Sequence, residues 1–268
     1  AAPVGAGPLG LLRHSSERHV MAKVVIVTGA SRGIGRATAL LAARRGWDVC
    51  VNYLGSTDAA REVATEIEAL GRRALLVRGD MGREDDIRAM FAAVDRSLGA
   101  PDAVVCNAGI TGKAGRLEDL ETETLRRVVD VNLVGVVLTA REAVLRMSTK
   151  RGGRGGSIVL MSSVASFIGG AGEWLHYAAT KGAINTFTLG LSREVAGEGI
   201  RVNAVSPGVI DTEIHAAAGA GERVARLVPN LPMPRIGTAQ EVAEAILFFM
   251  GGEAAYSIGA VLPITGGR

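Results

Sequence analysis

The chain has 268 residues, enough for one large α/β domain or two small ones. Hydrophobic residues make up 48% and charged residues 21%, a balance that excludes a disordered chain. The net charge of +3 comes from Lys and Arg scattered among acids, which excludes the massed basic face of a nucleic-acid binder.

Aromatics are only 4% while glycines number 36, so the core is built from Val, Ile, Leu and Ala, as in sheets covered by helices. Cys50 and Cys106 lie inside apolar runs and read as small core residues in a reducing compartment, which points to the cytoplasm. No apolar run approaches the roughly 20 residues that cross a bilayer. Neither nucleic acid nor a membrane is therefore an expected partner. Residues 1–20 carry a short patch from Leu9 to Leu12 with arginines after it, the reverse of a secretory signal. They are expected to be an extension outside a domain that runs over 21–268.

From Met21 onward, apolar runs alternate with amphipathic stretches. In chain order, strands are predicted at 24–28, 49–52, 74–77, 103–106, 157–161, 200–205 and 260–263. Helices are predicted between them at 34–45, 57–70, 84–98, about 120–147, 177–196 and 239–249. Continuous runs such as Val24-Val25-Ile26-Val27 mark strands buried on both faces, as in a parallel sheet. The alternation builds βαβ units and predicts a single doubly wound, Rossmann-type α/β domain. The Gly-rich stretch 151–156 is a loop rather than a linker. Residues 213–235 break the rhythm with a small helical pattern and then Pro229, Pro232 and Pro234. In such a fold an insertion there covers the ligand crevice.

The first strand runs straight into Gly29-Ala30-Ser31-Arg32-Gly33-Ile34-Gly35 and then a helix. Glycine is needed where a backbone turns tightly and where a phosphate approaches the main chain. The helix that follows offers free N–H groups and a positive dipole end to an anion. At the tip of the second strand, Val51-Asn52-Tyr53-Leu54, there is no carboxylate of the kind that binds ribose hydroxyls about 20 residues after the turn. Asp48 stands at the strand's other end. Arg32, inside the turn, suits a 2′-phosphate instead. These features predict NADP(H), and an acid at Asn52 combined with loss of Arg32 is expected to favour NAD.

Tyr177 and Lys181 stand four apart on a predicted helix, hence on one face. A free tyrosine titrates near 10, roughly, and a neighbouring ammonium is expected to lower that value. Ser163 follows a predicted strand at its carboxyl end, where ligands lie in such sheets, with Ser162 the competing hydroxyl. Asn132, in Val131-Asn132-Leu133, reads on physical grounds as hydrogen-bonded core. Neither a Gly-x-Ser-x-Gly turn nor metal-ligand spacing occurs. His176 is expected to pack rather than to touch substrate.

The ordered set Thr28-Gly29…Gly33…Gly35, Cys106-Asn107-Ala108-Gly109, Asn132, Ser163, Tyr177-x-x-x-Lys181, Pro207-Gly208 and Gly266-Gly267 resembles the short-chain dehydrogenase/reductase family over nearly the whole body of the chain. The spacing of its first glycines departs from the common G-x-G-x-x-G, and Cys106 replaces the family's first Asn. The resemblance implies hydride transfer between NADP(H) and a carbonyl or alcohol substrate. Tyr177 is then the acid/base, Lys181 its partner, Ser163 a donor to the substrate oxygen, and Asn132 the holder of a water in a proton relay. It implies cofactor contacts from Gly29, Ser31, Arg32, Gly33, Ile34 and Gly35 of the turn, from Asn52 and Tyr53, and from Asp80 and Met81 at adenine. Asn107, Ala108, Gly109, Tyr177 and Lys181 follow, with Pro207, Gly208, Val209, Ile210 and Thr212 at the nicotinamide end. A homo-oligomer, dimer or tetramer, is implied through the 239–249 helix and the last strand.

The closest-looking relatives are 3-oxoacyl-thioester reductases and sugar or polyol dehydrogenases. The implied pocket wall of Phe167, Ile168, Glu173, Trp174 and His176 names no single substrate. Arg223, Arg226 and Arg235 are either a patch for an acyl carrier protein or ordinary solvated charge. The alternative from another class is an NADP-binding sensor without catalysis, against which the intact Ser163, Tyr177 and Lys181 speak.

Overall fold

The computed structural model describes residues 22–212 and 228–268. Residues 1–20, His215, Arg223, Arg226 and most of the helical pattern expected after Glu213 lie outside the described residues. Seven parallel strands form one sheet: β1 (Val24–Val27), β2 (Asp48–Tyr53), β3 (Ala74–Arg78), β4 (Ala103–Cys106), β5 (Gly156–Met161), β6 (Ile200–Pro207) and, last in the chain, β9 (Val261–Ile264). Their order is β3-β2-β1-β4-β5-β6-β9, the doubly wound arrangement expected from the sequence. The order reverses between β1 and β4, and a crevice opens there beyond the carboxyl ends of both strands.

Each strand divides its side chains between two cores, as a period of two requires. Val25, Val27, Val49 and Val51 meet helices α1 (Gly33–Arg44), α2 (Thr57–Ala69) and α8 (Ala239–Met250). Val24, Ile26, Val104 and Ile158 meet α3 (Glu84–Ser97), α5 (Gly135–Met147) and α7 (Leu175–Val195) on the other face. Complete burial of a side chain of this size contributes about 1.5–3 kcal/mol, so burial on both faces fixes the sheet. Cys50 and Cys106 belong to this interior, and burial pushes both thiols up to about 12. The native protein is expected to resist thiol labelling at pH 8 and to react at both cysteines once unfolded. Rapid labelling of the native state would contradict this packing.

The helix expected over about 120–147 is interrupted. A 3-10 turn (Leu117–Asp119) precedes α4 (Thr122–Val129), and a π turn (Asp130–Val134) joins α4 to α5 without a break. Directly after it, a Cβ on Gly135 would lie 1.8 Å from the Met81 carbonyl oxygen, so α5 starts against the loop after β3 with no side chain between. A π turn shifts the face that a helix presents, a feature often found at functional sites. Among the small elements not predicted are the one-turn α6 (Ala165–Ile168) and the two-residue pair β7 (Ile210–Asp211) and β8 (Gly237–Thr238).

At the amino end of β2, Asp48 is buried and bound by Arg72 and Arg73. Burial would raise its carboxyl pKa, but these hydrogen bonds outweigh it and hold the group below the usual range. Its task is structural, at the opposite end of the strand from the crevice.

Candidate active site

The crevice is a cavity of about 700 Å³ lined by every expected cofactor residue, from Gly29 through Thr212, and by Ser163. One end is the glycine turn. Gly29 and Gly33 have φ of +64° and +54°, a region that favours glycine. A Cβ on Gly35 would stand 2.2 Å from the Gly29 carbonyl oxygen, so α1 can start only with a glycine there. The α1 N-terminus has no side-chain cap, which leaves its first N–H groups without a partner of that kind at the cavity wall. A glycine-rich turn with an uncapped helix end fits a pyrophosphate. Gly35→Ala is expected to abolish dinucleotide binding and lower the thermal midpoint. Wild-type binding in that variant would show that the turn has room to spare.

Two asparagines hold this turn from inside. Asn52 Oδ1 accepts from the Gly29 amide at 3.1 Å, while its Nδ2 donates to the carbonyls of Val77 and Gly79 at 3.3 and 3.1 Å. Asn107 Nδ2 donates to the carbonyls of Thr28 and Gly29, at 2.8 and 3.1 Å. The Thr28 hydroxyl accepts from the amides of Asn107 and Ala108, both at 2.9 Å. Asn52 is thus committed to backbone, which corrects the expectation that an acid there would retune coenzyme choice. A carboxylate would face two carbonyl oxygens with no donor to offer. Tyr53, the next residue, lines the cavity at the strand tip and is the better position for an acid. The Arg32 side chain is exposed, and its guanidinium makes no hydrogen bond or ion pair with any described residue.

Asp80 also lines the cavity, but Arg127 pairs with it at 2.8 Å and the Gly82 amide donates to it at 2.8 Å. Burial would raise the Asp80 pKa; the bonds from Arg127 and Gly82 more than offset that and keep it ionised. The sequence held no signal for Arg127, which comes from a distant helix.

At the other end, Ser163, Tyr177 and Lys181 share the cavity wall. Tyr177 lies in the first turn of α7, with Lys181 one turn on. Both Ser162 and Ser163 line the cavity, but Ser162 is buried with its hydroxyl committed to Asn185 Oδ1, whereas Ser163 bonds with Tyr177. Lys181 Nζ donates to the Met161 carbonyl oxygen at 2.7 Å and lies 5.5 Å from the Tyr177 ring centre. Burial pushes its ammonium down to about 8. Burial likewise raises the Tyr177 phenol, and a hydrogen bond with Ser163 opposes it. The expectation that the lysine lowers the phenol is therefore corrected for the protein groups alone. Lys181 is aimed at Met161, and desolvation dominates at Tyr177.

Asn132 does not line the cavity. It is buried in the π turn, accepts from the Ile110 amide at 2.9 Å and donates to the Ile110 carbonyl at 2.7 Å. Its amide also reaches the Thr180 hydroxyl at 3.4 Å. Of the expected substrate wall, Ile168, Glu173 and Trp174 line the cavity, while Phe167 and His176 do not. Arg235 pairs with Glu241 in the capping box of α8, and is a helix-cap partner rather than a free docking charge. Among the described residues no group of three or more His, Cys, Asp and Glu could hold a metal, and no helix is long and apolar enough to cross a membrane.

A family model described as enoyl-(acyl carrier protein) reductase matches residues 29–268. An uncharacterized oxidoreductase, YgfF, of Escherichia coli (strain K12) is 48% identical over 91% of this chain and 99% of its own. An L-rhamnose 1-dehydrogenase (NAD(P)(+)) of Sphingomonas sp. (strain SKA58) is 37% identical over 91% of this chain and 95% of its own. Among solved structures, a blue fluorescent protein from a metagenomic library, in complex with NADPH, superposes with a TM-score of 0.85 at 32% identity, covering 91% of this chain and 97% of that one. With motif, topology and relatives in agreement, the chain belongs to the short-chain dehydrogenase/reductase family.

Proposed function

We propose that this protein is an NADP(H)-dependent oxidoreductase that reduces a carbonyl compound to an alcohol, with Tyr177 as the proton donor. One observation carries the reading: a single cavity joins the uncapped glycine turn, beside an uncommitted Arg32, to the Ser163–Tyr177–Lys181 group. Gly29, Ser31, Gly33, Ile34 and Gly35 would hold the pyrophosphate, Arg32 the 2′-phosphate, and Val209, Ile210 and Thr212 the nicotinamide end. When bound, NADPH supplies the hydride.

The protein's own groups do the rest. Burial keeps Tyr177 a neutral phenol, which is the acid that carbonyl reduction needs. Ser163 donates to the substrate oxygen as negative charge develops there. Lys181 sits one turn away as the group that returns a proton to the phenol. Asn132 holds Ile110 and thereby the chain that leaves β4 beside Lys181. The relative named for L-rhamnose oxidation supports a sugar or polyol among the first substrates to try. We also infer a homo-oligomer, supported by the exposed Phe248, Tyr256 and Ile258 beside the edge strand β9.

The test follows NADPH absorbance with ketones, sugars, quinones and 3-oxoacyl thioesters, alongside NADPH binding. Turnover with at least one class is expected. Tight NADPH binding without turnover across the panel would favour a sensor, and absence of any dinucleotide binding would refute the account of the glycine turn.

A further inference from the structure

Ile110, Thr111 and Gly112 form the stretch of cavity wall that leaves β4 beyond Gly109, and their three carbonyls are not paired with backbone as a strand's would be. Each takes a side-chain donor from another segment, and the Gly112 carbonyl also accepts from the Thr111 hydroxyl at 3.2 Å. Asn132 Nδ2 donates to Ile110 at 2.7 Å, His176 Nε2 to Thr111 at 2.8 Å, and Trp174 Nε1 to Gly112 at 3.2 Å. A carbonyl can only accept, so the His176 ring carries a hydrogen on Nε2. One backbone bond extends the seam, from the Gly115 amide to the Glu173 carbonyl at 2.8 Å. His176 and Trp174 stand one and three residues before Tyr177, so the segment that presents the phenol also grips the opposite wall.

A second cavity of about 390 Å³ begins just past this stretch, bounded by Lys113, Leu120, Thr124, Leu175 and His176, so the His176 ring stands between that space and the wall. Gly112 has φ of +71°, and a Cβ there would come within 2.7 Å of the Thr124 methyl and 3.1 Å of His176 Nε2. The close approach of ring to backbone is therefore built into the sequence on both sides. Trp174 and His176 are both more than nine-tenths buried, which makes an unmade bond costly to the carbonyl left behind.

Resting on the reading above, we infer that Trp174 and His176 are positioning residues. They lock residues 110–112 to the start of α7 and so fix the distance between that wall and the Tyr177 phenol across which the carbonyl substrate is held. A substrate-facing wall misplaced by even an ångström lowers the fraction of bound complexes in reactive geometry.

His176→Leu, His176→Gln and Trp174→Phe test this. Gln carries an amide N–H at nearly the reach of Nε2, and Phe keeps a ring while removing the indole donor. With a carbonyl that the wild type reduces, His176→Leu and Trp174→Phe are expected to lower kcat roughly 3- to 10-fold, the range of one net hydrogen bond. NADPH affinity stays unchanged, and His176→Gln restores kcat to within about twofold, since it remakes that bond. Hydrogen exchange of the NADPH-free proteins is expected to quicken at the amides of 110–112 in His176→Leu and to recover in His176→Gln. Wild-type kcat in His176→Leu despite faster exchange would overturn the inference, showing a wall that is anchored without positioning anything. A parallel loss of NADPH affinity would also overturn it, as general damage to the fold. If the wild type binds NADPH but reduces no carbonyl, the functional reading itself fails and takes the inference with it, an outcome recognisable before any variant is made.

Discussion

Tyr177→Phe is expected to lower kcat for carbonyl reduction by about 10²- to 10⁴-fold, the usual worth of a positioned acid, while NADPH binding holds within a few-fold. Burial keeps the phenol protonated at the Ser163–Lys181 end of the cavity, where it can give up that proton at a substrate oxygen. Phe keeps the ring and its packing, so the loss isolates the hydroxyl. Ser163→Ala is the companion control, because it removes a donor without removing the proton. Stopped-flow absorbance separates the chemical step from product release. A kcat within threefold of wild type would exclude Tyr177 as the acid.

Arg32→Ala is expected to weaken NADPH by about 10- to 100-fold and leave NADH nearly untouched. A charge-assisted bond is worth about 1.5–3 kcal/mol, and each 1.4 kcal/mol is tenfold in affinity. Arg32 gives up no existing partner among the described residues when it meets a phosphate, so the full difference appears in binding. Titration by protein-to-nicotinamide fluorescence at two salt concentrations reads it out, with the wild-type advantage for NADPH shrinking at high salt. Adding Tyr53→Asp to Arg32→Ala is expected to raise NADH affinity, because that carboxylate meets the cavity rather than the Val77 and Gly79 carbonyls. Equal losses for both dinucleotides would place the 2′-phosphate elsewhere.

Most of the fold was legible because burial on two faces leaves a long apolar run with few alternatives. β4 lies where Ala103-Val104-Val105-Cys106 predicts it, and β2 and β6 are longer by one or two residues at their ends. The division of α4 from α5 was hidden, as was the close approach of Gly135 to the Met81 carbonyl, which lies more than fifty residues away in sequence. For the site, the glycine turn and the Tyr177–Lys181 pair are local patterns, and local patterns survive in a sequence. The bonds of Asn52 and Asn107 are not local. An asparagine at a strand tip looks the same whether it meets a ligand or three backbone groups.

Those two amides, with the Thr28 hydroxyl, also bear on how the dinucleotide is captured. Seven hydrogen bonds already fix the glycine turn from within: three through Asn52, two through Asn107 Nδ2 and two to Thr28 Oγ1. A turn held in this way needs no rearrangement to take a dinucleotide, so its dissociation constant is expected to carry little correction for a rarely populated state. Loosening the turn through Asn107→Ala is expected to weaken NADPH and NADH alike by shrinking that population, with the ratio of the two affinities unchanged.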